Sequence, residues 1–195
     1  MQISHAAATS HLFISAKTRT AIPARHHLVR DALIQATLDP SVRSIDYVLS
    51  ARVAAAPVEL AATVIVRDDG RYWLDVVDAR PSRSLDEERL VTIALRDLDA
   101  SPLTLTAADI RREPRFANAR AVWNYRLHPV GIEMRLRVLT ALQEDGPLPL
   151  GSLLRCIRSA RDPAPAVMAL ACSDLVELDL VTGPLGPNTI VRSRS

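Results

Sequence analysis

A chain of 195 residues, 48% apolar and 24% charged, has the material for one ordinary domain, or for a core domain with a small appendix. Its net charge of +2 makes no overall electrostatic case for nucleic-acid binding, and no apolar run reaches the length of a membrane span. Two cysteines, Cys156 and Cys172, are too few for a disulfide framework and read as buried free thiols in a reducing cytoplasm. Five histidines (His5, His11, His26, His27 and His128) show no zinc-ligand spacing with cysteine. The basic residues are nearly all arginine, with Lys17 the sole lysine.

Taken in chain order, MQISHAAATSHLF lacks a basic segment followed by an apolar core, so no secretory signal is expected. Residues 1–22 read as an irregular arm. From Pro23 to Leu38 the pattern is helical, with Leu28, Ala32 and Gln35 near one side and Val29, Leu33 and Ala36 widening the apolar face. Proline suits the first turn, and Asp39-Pro40 ends the helix. SIDYVLSARVAAA (44–56) alternates imperfectly, as a strand interrupted by Pro57. VIV, a turn at RDDG and RYWLDVV predict a hairpin over 62–67 and 71–77, with Asp68 and Asp69 as turn residues.

Ser84 and Glu87 have the capping-box spacing. They open a helix over 84–99 whose apolar face reads Leu85, Leu90, Ile93, Ala94 and Leu98. LTLT (103–106) is a short strand, and a further helix spans about Pro114 to Leu127. Residues 23–128 thus read helix, strands, helix, strand, helix, an order that suggests an α/β core with a mixed sheet. Beyond His128-Pro129 come three short helices (131–146, 150–160 and 163–174) and a β-hairpin (176–193), the winged-helix order.

IRREPRFANARAVWNYR (110–126) resembles TnsA-type endonucleases of bacterial transposons, in which a similar I-R-x-x-x-x-x-x-N-A-x-x-x-x-x-Y segment follows the nuclease core. LVRDALIQATLDPSV (28–42) resembles the preceding helix of that family, with its D-P-x-V turn. The resemblance implies an α/β, restriction-endonuclease-like mixed-sheet core of the PD-(D/E)XK class over 23–128, followed by a small winged-helix-like domain over 129–195. It also implies a Mg²⁺-dependent DNA endonuclease chemistry, in which several carboxylates hold the hard cation and a lysine two residues past an acid orients the attacking water.

Laid over that pattern, the hairpin is deficient. Ala62 and Thr63 stand where Pro-Asp should precede the first strand's apolar run. The second strand reads Leu74, Asp75, Val76, Val77 instead of apolar, acid, apolar, lysine, and Val29 lies near the position of the helix glutamate. Asp75 alone remains in a metal-ligand slot. A shifted register would pair Asp78 with Arg80 as acid-x-base, although period-two alternation puts Asp75 and Asp78 on opposite faces, and arginine is a poor stand-in for a compact ammonium.

The expectation is therefore a catalytically degenerate TnsA-like protein without a cofactor, with Asp75, Asp78 and Arg80 as vestigial site residues. It would act in the cytoplasm as an accessory factor in transposition or recombination, associated with double-stranded DNA or with a transposase or other protein, and with no membrane. The competing readings are an active nuclease using Mg²⁺ on relocated carboxylates, and a protein-interaction module with no DNA role. Phosphate contacts, if made, would come from Arg111, Arg112, Arg115, Arg120, Arg135, Arg155 and Arg158. PAPAVMALACSD, the third helix of the appended domain, carries no Lys or Arg and suits core packing or a protein partner better than base readout. Of Trp123 and Tyr125, one is expected in the core. Asn118 is expected to hydrogen-bond a neighbouring loop.

Overall fold

The computed structural model describes residues 11–53, 56–157 and 162–194. Contacts divide the chain into two compact units, one of residues 1–36 with 41–110, the other of residues 37–40 with 111–195. The division falls at Ile110–Arg111 and not at the expected His128–Pro129, so the segment 111–128 belongs with the C-terminal unit.

In the first unit, β1 (Leu12–Phe13) and β2 (Ile22–Pro23) form a two-stranded antiparallel ribbon. Residues 11–22 are thus no loose arm. Phe13 and Ile22 are buried, and Ile45 donates its backbone N–H to the Lys17 carbonyl at 2.8 Å. α1 spans His27–Leu38 and buries Leu28, Ala32, Leu33, Ile34, Gln35 and Ala36.

β3 (Val42–Val53), β4 (Ala56–Arg67), β5 (Gly70–Val76) and β6 (Ala100–Leu105) form one sheet in that order. β3, β4 and β5 run antiparallel, and β6 lies parallel to β5. A parallel neighbour demands a crossover, which α2 (Leu85–Asp97) supplies. The capping box at its start is formed: Ser84 Oγ accepts from Glu87 N, and Ser84 N donates to the Glu87 carboxylate at 2.8 Å.

Several details depart from the sequence reading. The strand β4 includes Pro57, which stands at its second residue, outside the Val64–Arg67 stretch that β5 pairs. The imperfect alternation of β3 is a bulge: between the Val48–Ala62 and Ser50–Glu59 pairs, Leu49 faces two residues of β4, one of which, Ala61, has φ of 47°. On α2 the buried residues are Val91, Ala94 and Leu95, while Leu85, Leu90 and Ile93 are exposed.

The second unit contains α4 (Arg115–Trp123), α5 (Ile132–Asp145), α6 (Leu150–Cys156) and α7 (Ala164–Cys172); the one-turn α3 (Ala107–Ile110) closes the first. Its antiparallel sheet has the order β7 (Leu148–Pro149), β9 (Ile190–Ser193), β8 (Val176–Leu178). Every residue from Ala166 to Cys172 is buried, as expected of a helix apolar all round. α4 packs on α7 and buries Ala119, Val122 and Trp123. This explains the shifted boundary: α7 needs cover on more than one side, and α4 provides part of it. The chain is thus α/β, with a mixed four-stranded sheet, helices and small antiparallel sheets. Among the described residues no helix is long and apolar enough to cross a membrane.

Candidate functional site

The hairpin turn is tight because Arg67 pairs with Gly70, leaving only Asp68 and Asp69 between the strands. Gly70 has φ of 151°, a conformation glycine adopts without a Cβ clash. Asp68 is ion-paired with Arg43, in keeping with a turn role.

Beyond the Val64–Trp73 pair the two hairpin strands part. The N-terminal half of β4 pairs only with β3, and Leu74–Val76 of β5 pair only with β6. Asp75 lies in this fork. Its neighbours Leu74 and Val76 pack with Leu28, Ala32 and Ile110 on the α1 side of the sheet, whereas Trp73 packs with Val91, Ala94 and Leu95 of α2. Alternation therefore sends Asp75 to the α2 side. Val29 belongs to the α1-side cluster, so the sheet separates it from Asp75.

The Asp75 side chain is only 6% exposed, and both of its oxygens are engaged. Arg80 Nε donates to Oδ1 at 2.8 Å and Arg80 Nη2 to Oδ2 at 2.6 Å, a two-pronged fork. Thr104 Oγ1, from the residue paired with Asp75 across β6, donates to Oδ2 at 3.0 Å. The Arg80 guanidinium, with help from Thr104, holds the carboxyl below its ordinary pKa against the opposing effect of burial. Arg83, from the same connection, donates to the Leu60 carbonyl at 2.7 Å. Two arginines of the β5–α2 connection therefore bond to the two diverging strands.

Asp78 does not join Asp75. It sits in the 3-10 turn Val77–Ala79, is exposed, and accepts from Ala107 N at 3.1 Å at the start of α3. Arg80 pairs with Asp75. Among the described residues no group of three or more His, Cys, Asp or Glu side chains lies close enough to hold a metal ion. A Mg²⁺ ion, which wants several charged oxygens around a hydrated octahedron, does not fit a single carboxylate whose two oxygens already accept three hydrogen bonds.

The arginines proposed for phosphate contact lie on several elements. Arg111 and Arg112 are exposed ahead of α4. Arg115 is ion-paired with Asp39 at 3.2 Å, and Arg120 lies over the Phe116 ring, 5.4 Å from its centroid. Arg135 is exposed on α5, Arg155 bonds Ser152 Oγ at 3.1 Å on α6, and Arg158 lies outside the described residues. Arg194 is nearly buried between Asp174 and Glu177, at 3.3 and 2.8 Å, and also donates to the Pro40 carbonyl.

Asn118 is 4% exposed. Its Nδ2 donates to the Leu180 and Gly183 carbonyls at 2.9 and 2.8 Å, and its Oδ1 accepts from Leu185 N at 2.8 Å. This is the loop contact the sequence suggested, and it ties α4 to the β8–β9 connection. Trp123 is buried and Tyr125 exposed. Cys172 is buried, its Sγ 3.4 Å from the Val122 carbonyl, and burial pushes its thiol up to about 12. Cys156, expected to be buried, is exposed at the end of α6. The sequence reading missed Thr104 and Arg83 as partners of the fork; alternation in LTLT put Thr104 on one face of a strand but could not say which strand it would meet.

No family model matches the chain, and no curated protein matches it.

Proposed function

We propose that the protein is a catalytically silent relative of the TnsA-type transposon endonucleases, acting as an accessory factor in transposition or recombination in association with DNA or with another protein. The observation that carries this reading is the occupation of Asp75. The one acid in the expected metal-ligand slot is closed off by the Arg80 fork and the Thr104 hydroxyl. The helix–three strands–helix–strand order of the first unit, with a forked hairpin, supports a nuclease-derived core. The α5–β7–α6–α7–β8–β9 succession with sheet order β7-β9-β8 supports a winged-helix-like second unit.

Base readout through α7 is not part of the proposal. That helix is buried from Ala166 to Cys172, α4 lies on it, and Asn118 holds the loop after β8. The same burial removes α7 as a docking face for a partner, a role its apolar sequence had suggested. DNA association would rest on arginine contacts to phosphate, which are independent of sequence and steeply salt-dependent.

The test is incubation of the protein with supercoiled and linear duplex DNA in Mg²⁺ or Mn²⁺. No cleavage is expected. Metal-dependent cutting that disappears in Asp75→Asn or Asp78→Asn would establish the active-nuclease reading instead. Titration with an arbitrary duplex should show binding that falls steeply with salt; an absence of binding at low salt would leave only the protein-associated role.

A further inference from the structure

Large apolar side chains gather at the surface in one stretch of the second unit. Tyr125, Leu127, Ile132 and Leu136 are 39, 82, 67 and 57% exposed; apolar residues scattered singly over a surface are ordinary, a run of them is not. The backbone keeps them near one another. After α4 the chain turns, with His128 N donating to the Tyr125 carbonyl at 2.9 Å and the Tyr125 and His128 rings edge to face. Residues 129–131 then lead into α5, where Arg135 N donates to the Gly131 carbonyl at 3.1 Å. Ile132 and Leu136, four apart, share one face of α5, and the half-buried Leu139 continues it. The helix thus has two apolar faces. Val138 and Leu142 are buried on one, whereas Ile132 and Leu136 of the other are left to water.

The charge beside these residues has one sign. From Pro114 to Ile132 the sequence holds Arg115, Arg120, Arg126 and His128 and neither Asp nor Glu. Arg126, next to Leu127, and Arg135, next to Leu136, are both exposed. The Arg126 guanidinium lies over the Trp123 ring, 5.6 Å from its centroid, a contact that orients the group without neutralising it. Glu133, the first acid to follow, is engaged by Arg137 at 2.6 Å.

We infer that this stretch is a docking surface for an acidic amphipathic helix of another protein, whose apolar side covers Leu127, Ile132 and Leu136 and whose carboxylates meet Arg126 and Arg135. The two observations together select that occupant. A second copy meeting the stretch across a twofold axis presents the same surface, so Arg126 and Arg135 would face their own like. Duplex DNA would match the arginines but set the aliphatic side chains against a charged backbone. A partner that carries both an apolar face and acids satisfies both. The inference is independent of the nuclease-derived reading, because it uses no residue of the Asp75 fork.

The probe is a fluorescein-labelled leucine–glutamate amphipathic peptide of roughly 14 residues, about 21 Å when helical, with the leucine–lysine version as control. In fluorescence anisotropy with the full chain, the glutamate peptide should bind and the lysine peptide should not. The double variant Leu127→Ser/Leu136→Gln, at two exposed positions, should weaken binding at least about tenfold and leave the thermal unfolding of the chain unchanged. Arg126→Gln/Arg135→Gln should weaken it by about three- to tenfold and flatten its dependence on salt. Lack of binding by the glutamate peptide, equal binding by the lysine peptide, or affinity indifferent to either double variant would each overturn the inference. So would a dimer in sedimentation that the leucine variant dissociates, which would make the occupant a second copy. Duplex binding that the leucine variant weakens would also overturn it, by giving the stretch to nucleic acid.

Discussion

A carboxylate that is buried yet fully hydrogen-bonded is a structural asset, and Asp75 is one. Arg80 supplies two charge-assisted bonds and Thr104 a third. Removal of the arginine would leave a nearly buried anion with only a hydroxyl partner. Arg80→Ala should therefore lower stability in a denaturant titration, and Arg80→Lys should restore only part of the loss, because an ammonium cannot reproduce the fork. The pH dependence has a definite sign. Since the Asp75 carboxyl is held below its ordinary value, its contribution is present above the unfolded pKa of about 3.9 and is lost as pH falls through the lowered native value. The stability advantage of the wild type over Asp75→Asn should shrink as pH is taken from about 6 toward 3; a gap independent of pH would show that the carboxylate is not what the arginine holds. None of this pairing was legible in the sequence. The sequence offered Asp78 and Arg80 only as an acid-x-base motif in a shifted register, and nothing in it showed that the strand ends at Val76 and that the 3-10 turn re-aims Arg80 back along it.

Elements were easier to recognise than the faces they bury. The capping box at Ser84 and Glu87 marked the start of α2, because the spacing itself makes the two hydrogen bonds. The buried face was misread because α2 carries two apolar stripes. Ile93 and Ala94 adjoin in sequence, yet only Ala94 meets the sheet, packed with Leu60 and Val91. Ile93→Gln should accordingly shift stability by no more than about 0.5 kcal/mol, whereas Leu95→Ala should cost about 2–4 kcal/mol, both read by thermal or chemical unfolding. Asn118 was legible as a loop contact through its place in the FANAR motif, as a polar residue within a helix, though not which loop it would hold. Its orientation makes a sharp test. Asn118→Asp keeps the shape but points an anion at the Leu180 and Gly183 carbonyls. It should destabilise the chain more than Asn118→Ala, which is expected to cost about 1–3 kcal/mol. The reverse order would mean that the two carbonyls are not the amide's partners.

At the level of the whole chain, what sequence periodicity could not supply was which elements share a core. The change of element order at His128–Pro129 looked like a boundary, because three short helices and a hairpin begin there. A helix as uniformly apolar as α7 has no solvent face, however, and its cover must come from elsewhere in the chain. Ala119, Val122 and Trp123 of α4 are buried, and the buried Cys172 thiol of α7 lies against the Val122 carbonyl. A fragment of residues 129–195 would strip α7 of α4, leave the Leu180–Leu185 loop without Asn118, and expose apolar surface that water must then meet. It should bind a hydrophobic dye and unfold without a cooperative transition. A fragment of residues 111–195 keeps α4 and the Asn118 clamp, and loses the Asp39–Arg115 pair and the Pro40 carbonyl that Arg194 reaches. It should melt cooperatively, below the temperature of the same unit in the full chain. Cooperative melting of both fragments at the same temperature would restore the boundary to His128–Pro129 and with it the freedom of α7 to meet a ligand.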